Sequence, residues 1–174
     1  MKLEGSYTIP APRHAVWEKL MDSQALARVL PGCESLEAGL EGNCHLTLKV
    51  GVGPVKGTYR GRIEILDPAP PERYRLKFEG RGTGGFVEGE GSLALAEQGP
   101  SSTLVHYAGE VQVGGLVASV GQRLLEAVAR QMISRFFEGL TREISSTAGQ
   151  AAVSAPQDSN ARPETPPPPS TASS

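Results

Sequence analysis

Single-residue alternation of apolar and polar positions runs through most of this chain, the mark of antiparallel strands with one buried and one wet face. The first run is Leu3 to Ile9, where Leu3, Gly5, Tyr7 and Ile9 alternate with Glu4, Ser6 and Thr8. Pro10 and Pro12 stop it. Two short helical patches follow, Arg13–Met21 and Ser23–Leu30, with Asp22 between them as an N-cap and Pro31-Gly32 closing the second. A short strand is expected over Glu34–Glu37. Alternation then returns in rows: Leu46, Leu48, Val50; Tyr59, Gly61, Ile63, Ile65; Tyr74, Leu76, Phe78; Val87, Gly89, Gly91, Leu93, Leu95; and Thr103 to Val113. Gly114-Gly115 ends the sheet.

Beyond these glycines the period changes. Leu116, Val120, Leu124, Val128, Met132, Phe136, Leu140 and Ile144 recur every four residues, which predicts one long helix over Leu116–Ser145. Each step of four advances the stripe by about 40° around the helix axis. The stripe therefore winds, as a helix lying diagonally in a twisted sheet requires, and its period is wrong for a coiled-coil seam. The elements add up to an α+β fold: about seven antiparallel strands curved around a C-terminal helix, with two short helices after the first strand.

Placing the apolar rows inside puts all four tyrosines there, Tyr7, Tyr59, Tyr74 and Tyr107, together with Gly5, Gly61, Gly89, Gly91 and Gly109. Glycine in a strand either leaves space or lets the sheet bend. On the first reading the cup encloses a cavity, and leucine at Gly89 or Gly109 fills it in a protein that still folds. On the second, the same change overpacks the sheet. An apolar cavity with a few placed polar groups is the usual small-molecule site, and a buried phenol needs a hydrogen-bond partner. The expected ligand-binding residues are Tyr7, Tyr59, Gly61, Tyr74, Phe78, Phe86, Gly89, Gly91, Tyr107 and Gly109 from the sheet, and Leu116, Val120, Leu124 and Val128 from the helix.

Composition narrows the choice. A chain of 174 residues with a hydrophobic fraction of 39% supports one real core. The net charge of -2 and the scattered basic residues give no polyanion-binding surface, so no nucleic acid is expected. There is no apolar signal core and no run near the roughly 18 residues of a membrane span, so a cytoplasmic location is expected. Cys33 and Cys44 form neither a CxxC pair nor a metal cluster and read as reduced thiols. Residues 1–146 form the predicted body. Residues 147–174 lack aromatics, end around four consecutive prolines (Pro166 to Pro169), and read as a disordered tail rich in proline, serine and alanine.

The inner rows hold no Asp, Glu, Lys or His; His45 and His106 fall on outer rows, and His14 at the start of the first helical patch. No acid–base or nucleophile system converges, so neither catalytic nor metal-binding residues are expected. Gly80-Arg81-Gly82-Thr83-Gly84-Gly85 fits GxGxxG, but a strand pattern follows it where a dinucleotide fingerprint needs a helix. It reads as a flexible loop at the mouth of the cup, with Arg81 and Phe86 placed to touch a ligand or a membrane surface.

Several short stretches in order resemble the CoxG family, the G-subunit family of carbon monoxide dehydrogenase, within the START/Bet v 1-like (SRPBCC) superfamily of helix-grip folds. They are Pro31 to Leu36, Val50 to Gly57, Tyr59-Arg60-Gly61, Gly85-Phe86 leading to Gly89, Gly114-Gly115 with Gly121-Gln122-Arg123, and Phe136-Phe137. The resemblance covers residues 1 to about 145. It implies a protein that accompanies a molybdenum hydroxylase of the aerobic carbon monoxide dehydrogenase type, attaching that enzyme to the cytoplasmic membrane or handling a membrane quinone. The expected ligand is then a quinone (menaquinone or ubiquinone) or another lipid, and the expected partners are the hydroxylase complex and, transiently, the membrane surface. Two cysteines cannot build a Cys₄ iron–sulfur site, which agrees with an accessory protein carrying no redox centre. The polar, proline-rich tail departs from the membrane-associating C-terminus that family members can carry. A ligand-free scaffold and a cyclase- or hydratase-like enzyme of the same superfamily are the alternatives.

Overall fold

Each alternating run forms a strand in the computed structural model, which describes the backbone of residues 1–52 and 55–154 and the side chains of 1–51 and 55–146. The strands are β1 (Lys2–Ile9), β2 (Cys33–Ala38), β3 (Asn43–Val52), β4 (Val55–Ala69), β5 (Arg73–Gly82), β6 (Gly85–Glu97) and β7 (Thr103–Gly114). They make one antiparallel sheet in the order β1-β7-β6-β5-β4-β3-β2. All but one junction is a sequential hairpin; β1 closes onto β7 in a register that sets Gly5 against Tyr107 and Ile9 against Thr103.

Between β1 and β2 lie α1 (Arg13–Leu20) and α2 (Ser23–Val29). Asp22 caps α2 as expected: its carboxylate accepts the amides of Gln24 at 2.9 Å and Ala25 at 3.3 Å. The two helices cover one end of the sheet. There Val16, Trp17 and Leu20 of α1 pack with Ile9, Leu95 and Val105 of the sheet and with Phe137, Leu140 and Ile144 of the last helix. Thr103, wholly buried in this cluster, donates its hydroxyl to the Ala11 carbonyl at 2.7 Å. On the flank of the cluster the Arg28 guanidinium of α2 grips Glu143, with Nε to Oε1 at 2.9 Å. The pair holds the Glu143 carboxyl below the usual carboxylate range.

The long helix differs from the expected one at both ends. Leu116–Val120 form a 3₁₀ segment, and α3 starts only at Gln122. Gly121 between them has φ 94°, a left-handed conformation that breaks the helical path. The four-residue spacing of Leu116, Val120 and Leu124 thus spans two elements. At the other end α3 runs to Ser154, past the limit the apolar stripe suggested. The rest of the tail, residues 155–174, lies outside the described residues.

The GxGxxG stretch lies within a β-hairpin. Gly82 faces Gly85, only Thr83 and Gly84 form the turn, and no helix follows. The expected flexible loop is therefore a tight turn. It is tied down by the Val117 amide of the 3₁₀ segment, which donates to the Gly84 carbonyl at 2.8 Å.

Because Leu140 is fully buried where α1 and α3 meet, Leu140→Ala should cost about 2–5 kcal/mol in denaturant unfolding. A loss below about 1 kcal/mol would mean that the cluster does not hold α3 on the sheet.

Candidate functional site

Around Phe137, Leu140 and Ile144 α3 is sealed against α1, α2 and β1, whereas its N-terminal part stands off the sheet. Between them is a cavity of about 480 Å³, within the usual range for small-molecule sites. Tyr59, Ile63, Tyr74, Leu76, Phe78 and Tyr107 line it from the sheet; Leu125, Val128, Met132, Ile133 and Phe136 from α3; Leu20 and Leu26 from the short helices; and Leu30 from just past α2. Aromatic contacts close its base. Trp17 meets Tyr74 edge-on at 5.7 Å, and Phe137 stacks with Tyr107 at 5.7 Å and with Tyr7 at 5.3 Å.

The expected residues divide. Tyr59, Tyr74, Phe78, Phe86, Gly91, Tyr107, Gly109 and Val128 border the cavity. Tyr7 stands behind it, against Phe137. Leu116, Val120 and Leu124 do not line it: Leu116 is 77% and Leu124 37% exposed, on the outside of the mouth. Counting strictly by fours carried the stripe one residue too far around. The lining set Leu125, Val128, Ala129, Met132, Ile133 and Phe136 follows the true 3.6-residue period instead. Reading α3 from Phe136 backward at spacings of three and four finds it. The leucines of α1 and α2 were missed because short helices show too few turns to reveal a facing side.

Gly61 and Gly89 do not border the cavity either. A Cβ on Gly61 would sit 2.2 Å from the Glu79 carbonyl oxygen, and one on Gly89 2.3 Å from that of Glu110 and 2.7 Å from the Phe78 ring. These positions allow neighbouring backbones to close up where the sheet bends, so the curvature reading holds for them. At Gly109, which does border the cavity, a Cβ would still meet the Glu90 carbonyl at 2.8 Å. Leucine at Gly89 or Gly109 would thus break strand contacts before it filled the cup. Gly91 is looser, with its nearest atom, the Ala108 carbonyl oxygen, at 3.3 Å.

Polar groups in the cavity are few. The Tyr59 hydroxyl is buried and has no hydrogen-bond partner among the described residues. Burial pushes the Tyr74 phenol well above its ordinary range, so it stays neutral. Glu90 borders the cavity but is exposed, with its carboxylate directed to Lys77 at 3.3 Å and Arg75 at 3.6 Å. His14, His45 and His106 are exposed, the last 2.8 Å from the Ser6 hydroxyl. Among the described residues no group of His, Cys, Asp and Glu is arranged to hold a metal ion.

The family described as the carbon monoxide dehydrogenase G subunit (CoxG) matches residues 5–145. The chain belongs to this family. Within its fold, a conserved protein from Geobacillus kaustophilus is 37% identical, with a TM-score of 0.83 over 84% of this chain and 97% of that one. A START superfamily protein from Mycobacterium smegmatis, 14% identical, covers 84% of this chain and 98% of its own with a TM-score of 0.65. The Zhui aromatase/cyclase from Streptomyces sp. R1128, 20% identical, covers 85% and 95% with a TM-score of 0.62. These last two establish the START-like helix-grip fold for this chain, a fold that also serves an aromatase/cyclase. No curated protein matches it.

If strand approach dictates glycine, Gly89→Ala should destabilise the protein by about 1–3 kcal/mol, while Gly91→Ala should cost clearly less in the same chemical melts. Equal costs at the two positions would contradict this account of the curved sheet.

Proposed function

We propose that this CoxG-family protein is a non-catalytic carrier. It takes a quinone (menaquinone or ubiquinone) or similar lipid from the membrane, and it serves, or recruits to the membrane, a molybdenum hydroxylase of the aerobic carbon monoxide dehydrogenase type. The observation that carries the proposal is the 480 Å³ apolar cavity, unfilled by side chains and walled by α3. Moving a prenyl tail through water costs about 0.8 kcal/mol per CH₂ group, and an enclosing apolar wall removes most of that cost. Among the described residues no carboxylate or imidazole is directed into the cavity, which supports carriage over the acid–base chemistry of a cyclase.

The rim suits loading from a lipid surface. Phe86, Leu116 and Leu124 are exposed around the 3₁₀ segment and the β5–β6 turn. Arg81, 5.9 Å from the Phe86 ring, and Arg123, next to Leu124, put exposed positive charge beside them. Apolar side chains flanked by basic ones are what an anionic lipid interface attracts. Among the described residues no helix is long and apolar enough to cross a membrane, so the proposed association is a surface one.

Incubation with quinone-loaded anionic liposomes, followed by flotation of the vesicles, tests the proposal. Quinone should remain in the soluble fraction with the protein, and Leu116→Glu with Leu124→Glu should slow its extraction severalfold without lowering the melting midpoint. If no quinone leaves the vesicles while the protein still binds the hydroxylase, the role is that of a scaffold.

A further inference from the structure

Among the described residues two glycines border the cavity, Gly91 and Gly109, and they lack a side chain for different reasons. A Cβ on Gly109 would meet the Glu90 carbonyl oxygen at 2.8 Å, so strand packing dictates glycine there. Gly91 has no such constraint. It lies inside β6 without a left-handed φ, the β6–β7 register runs through it unbroken, and its Cβ would meet nothing closer than 3.3 Å. Glycine weakens a strand interior. Where neither a bulge nor a tight backbone contact explains it, the close approach of a ligand does.

The pair opens a recess in the cavity floor. Gly91 lies opposite Gly109, with Leu76 and Leu3 on their outer sides in the same row. These two leucines are three strand spacings apart, about 14 Å from backbone to backbone. Along the strands the recess is short. Leu93 and Tyr107 bound it toward the base; Val111 and the Phe78 ring, which covers Gly89, bound it toward the mouth. The cavity also touches Glu90, Ser92 and Ala108, all exposed on the wet face. It reaches them through their backbone, because no inner side chain stands between. A recess wide across the sheet, short along it and floored by peptide planes fits a compact flat group better than a running chain.

We infer that Gly91 and Gly109 floor a seat for a planar aromatic or quinoid ring, and that the carried lipid lays its ring there with its apolar chain leading out toward the mouth. This deepens the carrier proposal and rests on it. The direction of the chain follows from the packing. Beyond the recess Leu93 and Tyr74 belong to the solid core cluster with Trp17 and Phe137, so a substituent on the ring can leave only toward the rim. Phe78 and Tyr107 border the seat with aromatic rings, favourable neighbours for the face or edge of another. Position 91 is then the gauge of the site: a side chain there rises into the space the ring fills, while a chain passing above still has room.

The test uses two uncharged probes, a naphthoquinone carrying one methyl and one prenyl group, and dodecanol as a chain without a ring. Affinities are read by titration calorimetry on the native protein, Gly91→Ala and Gly91→Val. Gly91→Val should weaken the naphthoquinone about tenfold or more and leave dodecanol within about twofold, with Gly91→Ala between native and valine. The melting midpoint should hold or rise, since valine is the better strand former. In the native complex, nuclear Overhauser contacts should join the ring methyl to the α-protons of Gly91 and Gly109, a reading that needs no variant to fold. Equal weakening of both probes, or of neither, overturns the seat and leaves the carrier proposal standing. Ring contacts confined to Phe86 and Leu116 at the rim do the same. A native protein that binds neither probe overturns the carrier proposal and the seat together.

Discussion

Among the described residues, α3 is fastened to the core around Phe137, Leu140 and Ile144 and not along its N-terminal turns, and the rest of the architecture depends on that asymmetry. Phe137, Leu140 and Ile144 are buried in the cluster with Val16, Trp17 and Leu20, and Arg28 holds Glu143 at its edge. A helix is stiff over several turns. Fixing this stretch on the α1–α2 layer therefore fixes where the N-terminal turns of α3 point, and the curved sheet falls away beneath them. Leu125, Val128 and Met132 consequently face space where a solid core would offer them side chains. Without α1 and α2 as a wedge, burial of the α3 stripe would pull the helix down and close the cavity.

Strand geometry supplies the matching curvature. Backbone oxygens of Glu79 and Glu110 approach Gly61 and Gly89 so closely that no side chain fits. The bend formed there keeps Phe78 and Tyr59 on the concave side while the charged outer face stays wet. On that face Arg62 pairs with Glu79, and Lys77 with Glu90; such exposed pairs add little stability but keep the convex surface polar.

Most of the framework was legible in the sequence because period-two alternation is unambiguous when one face of a sheet is dry. The strands and the inward tyrosines follow from it, and the Asp22 cap from its place between two helical patches. What escaped was of three kinds. The break at Gly121 was hidden because Leu116, Val120 and Leu124 keep a helical spacing across it by chance, and a single glycine does not announce its φ. Gly89 and Gly91 look alike in sequence, yet one is pressed against a carbonyl and the other is not, which depends on local twist. The contribution of Leu20, Leu26 and Leu30 depends on how two short helices dock, and their own patterns are too brief to say. The adjacent Phe136 and Phe137 show the limit of motif reading: both border the cavity, but only Phe137 is buried in the core cluster.

A lining almost without charge and an apolar, basic rim are the features on which the carrier proposal rests, within a family named for a component of carbon monoxide dehydrogenase. The container itself is the central claim. Native mass spectrometry of the protein, purified gently from its own host and dissociated in the gas phase, addresses it directly. The account predicts one neutral prenyl lipid per chain, released intact on activation. A spectrum showing only the bare chain under conditions that preserve weak complexes, or showing an anionic lipid in its place, would contradict it.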